Sequence, residues 1–433
     1  ISASLVGSEM CIRDRLFYYL QHVQVLIYSK ILKIEEINLN QKLENYKLNL
    51  TNYIKGDKSI WGIVLLLSIF SFLPVYSTAS NLVYVIGSGS VLGYLFKHVA
   101  IVTVGFIIMY FTHLVPYRYF SAIAKIFYPV VTLLLIYTAL QGSTVDGANS
   151  NRWITLPILG FSFQTSTVAS VILLVYVSSF FSKNKNKKIE FFDSILKLWL
   201  PVFLFVGLIL PANLSTSLML MIVVITLSFF AGYPFKYLIS IILLSIFSLA
   251  LFVVIVKSNS DSISNRIDTW FSRVETFYGD GDKNTNYQSE RAKSAIAMGG
   301  IFGIGAGKSM MKNVLPQSSS DFIYAIIAEE YGIFGSMTIL FLFIILMLRV
   351  LINVQRTQSF FGKLLIFSMG LSLILQAFVN MGVATGVLPV TGQPLPLISA
   401  GGTSIWMTFL SVGIILSVTA NNQLDLIDKK MNR

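Results

Sequence analysis

Apolar runs of membrane-spanning length recur along most of the chain, and they leave few folds open to it. A helix crossing the hydrocarbon core needs about 20 mostly apolar residues. Ten segments meet that need: 59–76, 98–115, 119–141, 162–182, 194–211, 214–232, 235–256, 321–350, 360–383 and 402–420. Composition agrees, because 55% of the 433 residues are hydrophobic and only 12% are charged. A soluble protein carries about 25% charged residues. The expected fold class is an all-α polytopic membrane protein with about ten transmembrane helices. A large extracytoplasmic loop, 257–320, is expected between helices 7 and 8.

The formal charge of +12 does not point to nucleic acid, because Lys and Arg sit mostly in short loops between the apolar runs. Lys183, Lys185, Lys187 and Lys188 follow the fourth run, and Arg118 and Lys236 follow the second and sixth. Arg349, Arg356 and Lys363 surround the turn after the eighth; Lys429, Lys430 and Arg433 lie in the tail 421–433. All fall on one side, which the positive-inside rule makes cytoplasmic, with both termini there. The opposite side receives 77–97, 142–161, 257–320 and 384–401. The third of these exceeds an ordinary connection, and Trp270, Phe271, Phe277, Tyr287, Ile301 and Phe302 argue that it is folded. No internal repeat of the inverted-transporter kind is evident.

Residues 1–15, ISASLVGSEMCIRDR, read as a translated sequencing-adapter fragment and are set aside. The polar segment 16–58 is given no role in the fold, leaving 59–420 as the membrane domain. Cys11 is the sole cysteine, so no intrachain disulfide forms. His22, His98 and His113 lack metal-ligand spacing, which argues against zinc chemistry.

Asp321 is the leading candidate for chemistry. It stands in Leu315-Pro316-Gln317-Ser318-Ser319-Ser320-Asp321-Phe322-Ile323-Tyr324, where the longest polar loop meets an apolar run. An ionisable residue at the membrane is a functional hypothesis by default. The spacing Ser318-x-x-Asp321 also fits a capping box, so a helix start is the structural reading. Glu329 and Glu330 lie two turns deeper and are expected to face protein or a water-filled cavity, with a hydrogen-bonding role as the structural reading. Arg152, Arg266, Arg273, Arg291, Lys293, Lys308 and Lys312 share the outward side, and such cations suit phosphate.

The stretch Met298–Ser309 is glycine-rich, but Gly303 and Lys308 are one residue too close for a phosphate loop. No nucleotide is therefore expected, and close backbone packing or a re-entrant turn is the better reading. The segment Gly386–Ser404 carries Pro389, Pro394 and Pro396 with several glycines. Irregular apolar backbone of this kind persists at membrane depth only inside protein or beside a cavity.

Together these segments resemble the SEDS family of shape, elongation, division and sporulation proteins (the FtsW, RodA and SpoVE group) across about 59–420. The family's LPE-x-HTDFIFA motif is similar to Leu315 through Ala325, with its essential aspartate on Asp321. Its EE-x-G falls on Glu329, Glu330 and Gly332, and its YQ-x4-K-x-AI on Tyr287, Gln288, Lys293, Ala295 and Ile296. Its GG-x-x-G-x-G falls on Gly299, Gly300, Gly303 and Gly305. Its LPVTG-x-PLP-x-IS-x-GG falls on Leu388 to Gly402, including Ser399, Gly401 and Gly402, with Asn380 preceding it. This last segment looks closer to the division-type members than to the elongation type.

The resemblance implies a peptidoglycan glycosyltransferase that joins lipid II to nascent glycan and releases undecaprenyl pyrophosphate. It implies location in the bacterial inner membrane at the division septum, beside a class B penicillin-binding transpeptidase and divisome proteins. A lipid II flippase and a non-enzymatic scaffold are the competing readings. Asp321 would act as base or hold a divalent cation, Mg or Mn. Arg152, Arg273, Lys293, Lys312, Gln288 and Ser399 would meet substrate. Glu329, Glu330, Asn380, Pro389, Pro394, Pro396, Gly401 and Gly402 would be structural. The chain departs from the family at Gln317 and Ser319, where Glu and His are usual, and at Ala400, where Tyr is usual. The family's QPSE-x-x-K reads Gln164-Thr165-Ser166-Thr167-Val168-Ala169-Ser170, so an acid and a lysine are missing together. Its PDLGT reads loosely as Pro211-Ala212-Asn213-Leu214-Ser215-Thr216.

Overall fold

The computed structural model describes residues 54–86, 90–141, 144–145, 148–149, 153–155, 162–187, 189–259, 261–278 and 283–431. The chain divides into two units, Ile1–Lys55 and Gly56–Arg433, and every element named below lies in the second. In chain order the helices are α1 (Lys58–Ile86), α2 (Val91–Leu114), α3 (Phe120–Gln141), α4 (Thr165–Lys183), α5 (Phe191–Ile209) and α6 (Leu214–Phe230). They continue as α7 (Phe235–Asn259), α8 (Asp261–Tyr278), α9 (Lys283–Gly299), α10 (Ile323–Arg356), α11 (Phe360–Ala384) and α12 (Gly402–Met431). The all-α expectation holds, with two short antiparallel ladders as the exception. In these, β1 (Thr144–Val145) pairs with β2 (Ala148–Asn149), and β3 (Trp153–Thr155) pairs with β4 (Ser162–Gln164).

Among the described residues nine helices are long and apolar enough to cross a membrane. The remaining expected span is α6, which is apolar but only 17 residues long. The stretch 257–320 contains α8 and α9, and these are polar enough to lie outside the set of candidate spans. Four helices outrun their expected limits by six residues or more: α1 continues to Ile86, α2 begins at Val91, α10 ends at Arg356, and α12 continues to Met431 through the stretch expected as a tail.

Burial separates central helices from peripheral ones. The apolar stretch of α12 is 78% buried and those of α4 and α11 are each 61% buried, whereas that of α7 is 11% buried. Small residues let the central helices approach closely, as is common where lipid supplies no hydrophobic drive between helices. A Cβ at Gly105 of α2 would stand 2.2 Å from the Phe409 ring of α12.

One end of the bundle is closed by a polar knot. Asn353 Nδ2 donates to Asp57 Oδ2 at 2.7 Å, and the Asp57 amide donates to Thr419 Oγ1 at 3.2 Å. Arg349 donates to Ser59 and lies 3.9 Å from Asp57. Asp321 lies at the other end of α10.

Candidate functional site

The site is built on a broken helix. Within α10, Gly332 has φ 64° and ψ −158°, which interrupts the helix after Tyr331. Only glycine adopts this conformation without steric cost. The break frees the carbonyls of Glu329 and Glu330, which accept from the amides of Ile304 and Gly305, each at 3.0 Å. The Ile333 amide in turn donates to Gly300 O at 3.0 Å. The glycine-rich stretch therefore lies backbone against backbone on the break. A Cβ at Gly303 would stand 2.2 Å from Glu330 O, and one at Gly299 would stand 1.9 Å from Ala328 O. Close packing, not phosphate binding, is the use of these glycines.

Glu329 and Glu330 complete this joint. Both are almost fully buried, at 0% and 1% exposure. Glu329 accepts from the amides of Met310 (2.8 Å) and Met311 (3.2 Å) and from the Ser309 hydroxyl. Glu330 accepts from the Ser77 hydroxyl of α1 and from the Ser309 amide at 3.3 Å. Lys312 Nζ donates to Gly307 O at 2.7 Å and to Ser77 Oγ at 3.4 Å. Glu329 thus exchanges water for several charge-assisted hydrogen bonds, which is how a buried charge is tolerated, whereas Glu330 accepts on Oε1 and its Oε2 is buried without a hydrogen-bond partner.

The short first half of α10, Ile323–Glu330, is buried throughout, and Asp321 precedes it. The expected capping box is not used. Phe322 stands at the cap without a side-chain bond, and Ser318 Oγ donates to Lys312 O at 3.2 Å instead. A left-handed turn positions the acid. Gln317 has φ 57°, and its carbonyl accepts from the amides of Ser320, Asp321 and Phe322 at 3.1, 3.1 and 3.3 Å. Leu397, with φ 65°, is the other non-glycine residue with positive φ among those described. The two turns meet: Ser399 Oγ donates to Ser320 O at 2.6 Å, and the Ala400 amide donates to Ser319 O at 3.0 Å. Asn380 Nδ2 bridges Asp321 O and Gln393 O, both at 2.7 Å.

Asp321 opens onto a cavity of about 840 Å³ enclosed by α4, α6, α8, α9, α11 and α12 with the loop before α12. Arg273 and Asp321 are the only charged side chains lining it among the described residues. The rest of the polar wall is amide and hydroxyl, including Gln164, Thr167, Ser170, Gln288 and Gln376. Arg273 also donates to Val390 O at 3.4 Å. The positions where the family's acid and lysine are missing, Thr167 and Ser170, thus face this cavity.

The expected substrate residues part company in the structure. Arg273 and Gln288 line the cavity with Asp321. Lys293 is outside that lining and lies over Gly386, where its Cε would stand 2.0 Å from an added Cβ. Lys312 belongs to the Ser77–Glu330 joint. Ser399 is buried, and its hydroxyl accepts from the Leu395 amide at 2.7 Å while donating to Ser320 O. Arg152 lies outside the described residues.

Pro389, Pro394, Gly401 and Gly402 line the cavity, and Pro396 is buried behind it. Sequence reasoning missed Trp270, Gln376 and Gln393 as cavity residues. Gln376 and Asn380 are one turn apart in an apolar run, a spacing that puts both amides on one face.

Comparison with known proteins agrees with this architecture. The family profile described as "Cell cycle protein" (FTSW_RODA_SPOVE) matches residues 57–424. The "Probable peptidoglycan glycosyltransferase FtsW" of Nitrosomonas europaea is 30% identical over 376 residues, covering 85% of this chain and 94% of that protein. The protein of the same name from Geobacter metallireducens is 30% identical over 381 residues, covering 87% and 97%. A solved structure described as "Structural coordination of polymerization and crosslinking by a peptidoglycan synthase complex" superposes with a TM-score of 0.65 at 25% identity, covering 85% of this chain and 98% of that one. Rod shape determining protein RodA of Thermus thermophilus superposes with a TM-score of 0.60 at 23% identity, covering 86% and 99%. The profile match, the relatives and the shared fold place this chain in the FtsW/RodA/SpoVE family of membrane proteins.

Proposed function

We propose that this protein is a peptidoglycan glycosyltransferase that polymerises lipid II into glycan strands in septal wall synthesis during cell division. The observation that carries the reading is a cavity whose charged side chains, among the described residues, are one carboxylate, Asp321, and one guanidinium, Arg273. The names of the relatives support the same activity. In the reaction, the acceptor sugar hydroxyl attacks the anomeric carbon of the donor. Its proton passes to Asp321, the new glycosidic bond forms, and the bond from carbon to phosphate oxygen breaks. Undecaprenyl pyrophosphate leaves with the electron pair.

Pyrophosphate is a good leaving group, so no second carboxylic acid is needed to protonate it. A glycosidase would use two carboxylates. Arg273 sits where it can meet developing phosphate charge, and Gln288 adds an amide donor beside it. The donor set also fits a hydrated divalent ion that takes one protein carboxylate, Asp321, and its other ligands from substrate phosphate and water. Such an ion, when bound, would neutralise pyrophosphate charge.

The cavity would open toward the extracytoplasmic leaflet of a bacterial inner membrane, with both termini in the cytoplasm and the prenyl tails left in the bilayer. A class B penicillin-binding transpeptidase and divisome proteins are the proposed partners. The experiment is polymerisation of lipid II by purified protein with its partner transpeptidase. Asp321→Asn is expected to reduce turnover by about 10²–10⁴-fold. Near-normal turnover would remove Asp321 from the chemistry. Transbilayer movement of labelled lipid II by the wild type with no polymer formed would favour a carrier instead.

A further inference from the structure

The cavity contains an aromatic residue that the mechanism above leaves unused. Trp270 lines it from α8, together with Arg273 and Val274 at positions i+3 and i+4 on the same helix face. It is the one aromatic side chain in the lining among the described residues. The other tryptophans whose side chains are described are all engaged. Trp61 packs edge-on to His113 at 5.4 Å, and Trp406 Nε1 donates to Ile101 O at 2.9 Å. Trp199 Nε1 donates to Tyr233 Oη at 3.2 Å, and their rings pack at 6.0 Å. Trp270 is half-buried, and among the described residues its indole packs on no other ring. Buried tryptophans ordinarily find a partner for the N–H and a surface for the ring. An indole with no hydrogen-bond partner and no stacked ring among the described residues, facing a polar cavity, is suited to a ligand with an apolar face and a rim of acceptors.

We propose that Trp270 is a sugar platform that holds the donor aminosugar by stacking on the C–H face of its pyranose ring. The inference rests on the glycosyltransferase reading and names the substrate part that this wall recognises. Register argues for the donor rather than the acceptor ring. Arg273 lies one helical turn along the same face, about 5 Å of rise away. That is the separation between a pyranose ring and the phosphate on its own anomeric carbon. With the ring on Trp270, the pyrophosphate falls to Arg273, and the Trp270 N–H is left to donate to a ring substituent. The remaining wall of amides and hydroxyls matches uncharged sugar substituents. The negative face of an indole offers nothing to a purely anionic ligand, so inorganic pyrophosphate would not occupy this part of the cavity.

The test combines kinetics with a binding signal in full-length protein with its partner transpeptidase. Trp270→Leu is expected to raise the KM for lipid II by about 3- to 10-fold, the range of one lost aromatic contact, with a smaller change in kcat. Trp270→Phe is expected to recover most of that loss. Adding lipid II to Asp321→Asn protein, where turnover is blocked, is expected to quench tryptophan emission. The quench is expected to vanish in the double variant carrying Trp270→Phe, and inorganic pyrophosphate is expected to give none. A wild-type KM in Trp270→Leu, or a quench that survives Trp270→Phe, would overturn the proposal. Should Trp270→Leu fail to fold, the fluorescence comparison with Trp270→Phe decides. A Trp270-dependent quench, together with a wild-type protein that makes no polymer, would uphold the platform while defeating the glycosyltransferase reading.

Discussion

At the residue scale, the backbones of its neighbours help to place the acid. Gly392 has φ +66°, and a Cβ there would stand 3.4 Å from Asp321 Oδ2. Gly392→Ala carries a left-handed penalty of about 1–2 kcal/mol at a position whose new Cβ would be in van der Waals contact with the carboxylate. Part of that cost spent on displacing Asp321 lowers polymerisation by about tenfold, read as lipid II turnover at unchanged protein level. Asn380→Leu removes the donor shared by Asp321 O and Gln393 O and leaves buried carbonyls unpaired. The expected loss is about 1–3 kcal/mol, seen as a lower melting temperature in detergent.

Asp321 was legible in sequence because an acid interrupts an apolar pattern beside a specific motif. Trp270, Gln376 and Gln393 were not, because the cavity joins helices far apart in the chain. Gln393, for example, reaches Thr216 Oγ1 at 2.9 Å across 177 positions. The left-handed turns at Gln317 and Leu397 were illegible for another reason: neither residue type advertises a positive φ.

At the element scale, the informative unit is the joint between the broken α10 and the glycine-rich stretch before it. Each of the ten apolar runs falls on a helix, since hydrophobic length is read directly, although nine of those helices are long and apolar enough to cross a membrane among the described residues. The break inside 321–350 was hidden, because both halves are apolar and Gly332 alone marks it. Leucine at this position would meet a positive φ and the carbonyl of Ile301, 2.4 Å from a new Cβ. Gly332→Leu is therefore expected to destabilise the protein by more than the about 1–3 kcal/mol of backbone strain alone, measured by thermal melting. Glu329→Gln keeps the shape and loses the charge that the amides of Met310 and Met311 and the Ser309 hydroxyl address. The stretch 300–313 is expected to become more sensitive to limited proteolysis in that variant, while the rest of the bundle stays resistant.

At the scale of the whole molecule, charge and architecture divide the bundle into two ends. The Asp57–Arg349–Asn353 knot marks the end rich in Lys and Arg, and Asp321 marks the other. Phe302 is 80% exposed on the glycine-rich stretch, and Asn184 follows α4 beside the lysine cluster. In a Cys11→Ser background, Phe302→Cys is expected to react with a membrane-impermeant thiol reagent in intact cells. Asn184→Cys is expected to react only after permeabilisation. The opposite pattern would invert the orientation and place Asp321 on the wrong side for lipid II polymerisation.

In the proposed mechanism, the interruption at Gly332 also sets the segment that carries Asp321 apart from the mechanics of the bilayer. The continuous part of α10 beyond it, 333–356, gives about 36 Å of helix, enough to match an ordinary hydrocarbon thickness without the segment that carries Asp321. A thicker or thinner leaflet would tilt that long rod and be absorbed at the hinge. Turnover should therefore hold steady across vesicles of differing acyl-chain length, whereas stiffening the hinge would make it follow the lipid.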